Sequence, residues 1–195
     1  RKNEVYVRNN KQEIIHSGVM PEARIIEYLD MALKLVNDNN IDLIIRTAVF
    51  HYMFGYIHPF YNGNGRVDRY ISSRLLTQEL MPLTGYRLSV TIKEHIKKYY
   101  KMFALINDKK NRGDITPFVI EFLELIRYAE EELYTELKGK KNKEEFYMGH
   151  IQEMKLKSSD HVMLIILLRN SLYGEKGFAV DRLAGIMKMS ESATR

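Results

Sequence analysis

A proton acceptor, two glycines and two guanidinium groups fall within one short run of this chain, HPFYNGNGRVDR at 58–69. Gly63 and Gly65 let the backbone turn sharply and bring its N–H groups close to a ligand. The helix expected to begin there adds unpaired N–H groups and the positive end of its dipole, so the turn reads as an anion site. Arg66 and Arg69 stand three apart, on one face of the first turns of that helix, where two guanidinium forks can hold adjacent phosphates. A single phosphate would not need both. His58 precedes the turn, and a neutral imidazole is the side chain best suited to take a proton from an attacking hydroxyl near neutral pH. A base beside a polyphosphate cradle implies phosphoryl or nucleotidyl transfer. Asn64 can donate its amide to a phosphate oxygen or cap the helix, and Phe60 reads as an apolar anchor pinning the loop to the core. Each feature alone is ordinary, a Gly-rich turn opening a helix whose arginines pair with nearby acids. Their concurrence is what argues for a site.

The elements that must position this run read as mainly α. Prolines at 21, 59, 82 and 117 divide the chain, and between them apolar residues recur at three- and four-residue intervals. Residues 22–37 place Ile25, Ile26, Leu29, Leu33 and Val36 on one stripe, and 41–56 do the same with Ile41, Ile44, Ile45, Ala48, Val49, Tyr52 and Met53. The pattern predicts further helices over 65–80 and 91–107, and one from Thr116, an N-cap with Pro117 at the first helical position, running past Leu133. Ahead of them all, EVYVRNNKQEIIH has β-formers on both sides of a polar turn at Asn9 and Asn10, which predicts a short hairpin. From Lys138 to Lys157 the composition turns strongly charged, and a new apolar helix begins after Ser158, Ser159 and Asp160. Beyond it come a Gly-containing turn, a short helix at 180–188, and Ser190 as the cap of another. That spacing suits either a winged-helix appendage or a plain helical one.

With an apolar fraction of 45% over 195 residues, the chain can build a real core. No run reaches the ~18 apolar residues that a membrane span needs; VMLIILL at 162–168 stops at Arg169. The absence of cysteine excludes a disulfide framework and thiolate metal sites and fits a reducing compartment, with the cytoplasm expected. A net charge of +5 decides little, because bases and acids are interspersed except around KGKKNK at 138–143, which reads as a solvated face. The remaining histidines, at 16, 51, 95, 150 and 161, form no His-x-x-His or His-x-x-x-His pair and read as surface or satisfied core residues. Because the chain opens on Arg1 without a charged-then-apolar leader, it is expected to be a piece of something longer.

The run at 58–69 closely resembles the active-site motif of the Fic (Fic/Doc) family, His-x-Phe-x-Asp/Glu-Gly-Asn-Gly-Arg-x-x-Arg. The hairpin, the Pro21-Glu22 helix start and an apolar helix running into the histidine fit the family's layout. By this resemblance residues 4–137 form a Fic helical bundle with a β-hairpin flap, 138–157 a charged helical linker, and 158–195 a helical segment or truncated winged helix. The resemblance implies a protein adenylyltransferase that moves AMP from ATP to a Ser, Thr or Tyr hydroxyl. His58 would be the base, Gly63, Asn64 and Gly65 the anion hole, Arg66 and Arg69 the holders of the outer phosphates, and Phe60 the loop brace. The hairpin would be the flap on which a target segment docks in extended form.

One position departs from the pattern. The family's acidic residue, which binds magnesium between the phosphates, is Asn62 here, and magnesium prefers charged oxygen ligands, so impaired Mg2+ binding and slower transfer are expected. The family's inhibitory Ser/Thr-x-x-x-Glu-Gly/Asn helix has no match in this chain; such a helix is expected upstream or from a separate inhibitory protein or antitoxin. Two rival readings stand beside the first: another phosphoryl or nucleotidyl transfer on the same scaffold, and a nucleotide-sensing regulator whose C-terminal segment binds DNA.

Overall fold

The computed structural model describes residues 2–8, 11–174, 177, 179–190 and 192. Among them the chain forms a two-stranded antiparallel hairpin and eight α-helices, and it divides into two compact units, Arg1–Leu133 and Tyr134–Arg195.

The first unit is built around α2 (Leu43–Ile57), the helix that ends at His58. It begins at 43 rather than 41 because Asp42 is its N-cap, the carboxylate accepting from Ile44 N at 2.9 Å and Ile45 N at 3.2 Å. The apolar stripe expected here proves too narrow. Arg46, Thr47, Ala48, Phe50, His51, Phe54 and Ile57 are all buried, so nearly every face of α2 is covered. α1 (Glu22–Val36) lies on one side of it through Ala32, Leu29 and Val36, which meet Phe50 and Phe54. Ile26 and Leu33, assigned by periodicity to the packed stripe, are about half exposed, because Ile25, Leu29, Ala32 and Val36 carry the contact face instead.

α3 (Asn64–Leu76) packs on α2 and carries the two arginines; its helical bonds end at Leu76, with turns rather than helix to Leu80. The expected helix over 91–107 is two: α4 (Pro82–Glu94) and α5 (Ile96–Asn107), broken at His95. Pro82 and Gly85 look like loop formers in sequence. Pro82 instead occupies the first position of α4. Gly85 lets α4 approach α3, since a Cβ there would sit 2.7 Å from both Ser73 O and Thr77 Cγ2. α6 (Thr116–Glu153) starts where expected, with the Asp114 carboxylate accepting from Thr116 N at 2.9 Å. Its first turns bury Phe118, Phe122 and Leu125 against Leu88, Ile92, Met102 and Ile106. Burying a side chain of this size contributes about 1.5–3 kcal/mol.

The hairpin pairs β1 (Tyr6–Arg8) with β2 (Ile14–Ser17), Tyr6 opposite Ser17 and Val7 opposite His16, with an irregularity between Val7 and Arg8. The turn expected at Asn9 and Asn10 lies outside the described residues. In the second unit, α7 (Ser158–Tyr173) is tied to the outer part of α6 by Arg169 Nε and Tyr173 OH, which donate to Glu144 at 2.7 and 2.8 Å. α8 (Val180–Met187) buries Leu183 and Ala184. The helix expected after Ser190 lies outside the described residues.

Candidate active site

His58 closes α2 in the left-handed conformation (φ 49°, ψ 58°), its N–H still donating to Phe54 O at 3.0 Å. A non-glycine residue is uncommon there, and its surroundings must over-determine it. Asn64 supplies much of that. Its Oδ1 accepts from Phe60 N at 2.8 Å and its Nδ2 donates to Phe60 O at 2.7 Å, so one buried amide staples the loop's backbone in both directions. Phe60 itself leaves 48% of its surface in solvent, with its ring 6.2 Å from that of Phe54. What fixes the loop at residue 60 is the backbone staple more than the ring.

Gly63, not Asn64, is the N-cap of α3, with φ 85° that only glycine adopts without strain. Its carbonyl accepts from Arg66 N and Val67 N at 2.9 and 3.0 Å, which leaves the N–H groups ahead of them at the helix mouth. Both arginines fold back over this mouth. A Cβ on Gly63 would lie 3.5 Å from Arg66 Nη2, and one on Gly65 would lie 3.1 Å from Arg69 Nη1. The two guanidinium groups and the turn therefore converge on one place, an arrangement of donors from a single short run of sequence that could cradle an anion.

Two cavities open from it. One, of about 190 Å³, is lined by His58, Gly65 and Arg69 on one side and by Val7, Ile15 and His16 of the hairpin on another. Its far wall is α5, through Tyr100, Phe103, Ala104 and Asn107. The carboxamide oxygen of Asn107 accepts from Tyr52 OH at 2.9 Å, which orients the amide. The other, of about 620 Å³, is lined by Arg66, Arg69, Arg74 and Lys93 among Tyr70, Tyr86 and Tyr100. Arg69 and Tyr100 face both.

Beneath the cradle lies a buried polar group. His51 Nε2 bonds Tyr99 OH at 2.8 Å; its Nδ1 lies 2.8 Å from Ser72 Oγ and 3.2 Å from Asp68 Oδ1. Burial favours the neutral form of both ionisable partners. The His51 pKa falls to about 3, through burial and then the nearby Arg69 cation, while burial raises the Asp68 carboxyl well above the carboxylate range against the pull of Arg69. Tyr99 is likewise pushed up by burial and by Asp68.

The magnesium ion implied by the motif finds poor ligands here. Asn62 is neutral, and its Oδ1 already accepts from Gly63 N at 2.7 Å. Among the described residues there is no cluster of three or more His, Asp or Glu that could hold a metal. The donor set does not fit Mg2+, so the chemistry below is carried by the protein's own groups.

Of the residues singled out in the sequence, the structure brings His58, Asn64, Gly65 and Arg69 to one cavity, whose other walls the sequence did not point to. His16 lines the cavity although spacing gave it no role, and Asp68 was not singled out at all. Tyr100, Phe103 and Asn107 carry a usable signal, since they recur at three- and four-residue spacing on one face of α5 and end in an amide, but nothing local points that face at residue 58.

Residues 2–76 match the family model described as Fic/DOC family. The chain is 33% identical over 119 residues to the protein adenylyltransferases Fic of Drosophila sechellia and Drosophila melanogaster, a stretch that covers 61% of this chain and 22% of each relative. The chain thus spans about a fifth of the length of those relatives. A crystal structure of a Fic family protein from Desulfovibrio desulfuricans G20 shares the fold, with a TM-score of 0.62 at 22% identity, over 97% of this chain and 50% of that one.

Proposed function

We propose that this chain, whose residues 2–76 match the Fic/DOC family model, is a Fic-family protein that transfers AMP from ATP to a hydroxyl group of a protein target. The observation that carries this reading is the convergence of Arg66 and Arg69 on the glycines of the turn, with His58 and Arg69 facing the same cavity. A nucleoside triphosphate satisfies all of it at once. The turn amides and the N-terminus of α3 take the α-phosphate, the two guanidinium groups take the outer phosphates, and the base lies against Tyr100 and Phe103 within reach of the Asn107 amide. A target segment pairing with the hairpin brings its hydroxyl to His58. The imidazole accepts the hydroxyl proton as the oxygen bonds to the α-phosphorus, the bond from that phosphorus to the bridging oxygen breaks, and pyrophosphate leaves. Charge gathering on the phosphoryl oxygens is met by donors already in place, which is where most of the rate gain in such a transfer arises.

A protein hydroxyl as acceptor is part of the proposal, as is a cytoplasmic setting, which the cysteine-free composition favours; no described helix is long and apolar enough to cross a membrane. Incubation with ATP labelled at the α- or the γ-phosphate tests the reading. Protein-bound label from the α position alone is the expected result. Retention of the γ label would replace AMP transfer by a kinase reaction, and retention of neither would leave nucleotide binding without transfer.

A further inference from the structure

We propose that His16 of the flap is a positioning residue that ties the hairpin to the turn carrying His58, so that flap closure and placement of the catalytic imidazole are a single event. The proposal rests on the AMP-transfer reading for its kinetic consequence but not for its structural one.

The last carbonyls of α2 have no partner within the helix. Two of them are taken by the flap strand and by the residue two positions beyond its end. Tyr56 O lies 2.6 Å from His16 Nε2, and Ile57 O accepts from Val19 N at 3.0 Å. A carbonyl can only accept, so His16 carries its proton on Nε2 and donates. The ring is then held on two more sides, 5.2 Å from the Tyr56 ring and 6.5 Å, edge-on, from the His58 ring. His16 is half-buried, stands opposite Val7 in the hairpin, and lines the same cavity as His58 and Arg69.

The consequence follows from where that bond lands. Tyr56 and Ile57 immediately precede His58, whose left-handed backbone is held to the helix by its bond to Phe54 O. Fixing the two carbonyls ahead of it fixes the plane from which the turn departs, and hence the direction of the imidazole. A target segment that pairs with the hairpin and holds it shut thereby also steadies the base. With His16 gone, the hairpin keeps its own strand pairing and the cradle keeps Asn64, Arg66 and Arg69, so nucleotide binding survives while the base is misplaced. A small misplacement of a catalytic group lowers the chemical step far more than it lowers substrate affinity.

The test compares the wild-type chain with His16→Ala and His16→Gln, glutamine retaining an N–H donor at about the reach of Nε2. Amide hydrogen exchange is the first readout. His16→Ala should speed exchange about tenfold at Val19 and at His58 together, without altering protection in α5, and His16→Gln should restore both. Unchanged exchange at His58, or acceleration confined to the hairpin, overturns the proposal whatever the enzyme's activity. Steady-state transfer is the second readout: kcat should fall roughly tenfold in His16→Ala, KM for ATP should stay within about twofold, and His16→Gln should recover most of kcat. A rise in KM for ATP with kcat unchanged would make His16 a nucleotide contact and overturn the coupling. A wild-type chain that transfers no AMP defeats the functional reading alone, because the exchange experiment still decides whether the flap and the turn move as one.

Discussion

Replacing Asp68 by asparagine should change how stability depends on pH, because the buried pair beneath the cradle holds its protons differently in the folded and unfolded chains. In the unfolded chain Asp68 titrates near its ordinary value of 3.8 and His51 near 6.5. Folding raises the first well above its range and lowers the second to about 3, in both cases chiefly through burial. For Asp68 the folded chain therefore holds a proton that the unfolded chain releases above 3.8, and stability falls as pH rises until Asp68 itself ionises. For His51 the unfolded chain holds a proton that the folded chain refuses, and stability falls as pH drops from 6.5 towards 3. Each slope is about 1.4 kcal/mol per pH unit. While Asp68 keeps its proton in the fold, the two cancel between 3.8 and 6.5 and the pair contributes a plateau there; stability is lost below 3.8 through His51, and above 6.5 through Asp68 for as long as it stays protonated. The Asp68→Asn variant lacks the first slope and keeps the second. Urea unfolding of both proteins from pH 5 to 8 checks this, and the difference between them is the quantity to follow, since all other groups cancel in it. The variant should gain on the wild type as pH rises, by up to about 1.4 kcal/mol for each pH unit over the range in which Asp68 keeps its proton in the fold, having started within about 1 kcal/mol of it at the acid end. A difference that stays flat from pH 5 to 8 would mean that Asp68 sits in the fold as an ordinary carboxylate, and the reasoning fails.

Three further outcomes follow from the cradle and its cavity. Asn62→Asp supplies the charged oxygen that the position lacks, and should raise AMP transfer with Mg2+ about tenfold while leaving transfer without added metal unchanged; assay of labelled product over a magnesium titration checks it. Gly65→Ala should stabilise α3 by up to about 0.5–1 kcal/mol in thermal unfolding. It should nonetheless weaken ATP binding about tenfold or more, because the new methyl meets Arg69 Nη1 at 3.1 Å and displaces a guanidinium group worth about 1.5–3 kcal/mol to a phosphate. Wild-type affinity in that variant by calorimetry would place the phosphates elsewhere. Asn107→Ala should raise KM for ATP with inorganic triphosphate binding unaltered, since the amide lines the cavity's far wall and not the cradle; equal loss for both ligands would remove Asn107 from base recognition.

The division between what sequence reveals and what it hides follows the range of the interactions. The cradle was legible because Gly63, Asn64, Gly65, Arg66 and Arg69 act on one another within a single turn and helix start, where φ preferences, helix-end amides and three-residue spacing act locally. The hairpin and the helices either side of it were legible for the same reason. The start of α4 at Pro82 was not, since Pro82 and Gly85 carry the same loop signal whether they interrupt a helix or open one, and only the approach of α4 to Ser73 and Thr77 shows which. Nor was the state of Asp68, whose burial depends on α2 and α5 closing over it from 17 and 31 positions away at His51 and Tyr99. The same distinction bears on the proposed function: the turn and its arginines come from one local run, whereas the cavity walls contributed by α5 and the hairpin reach that place only through the fold.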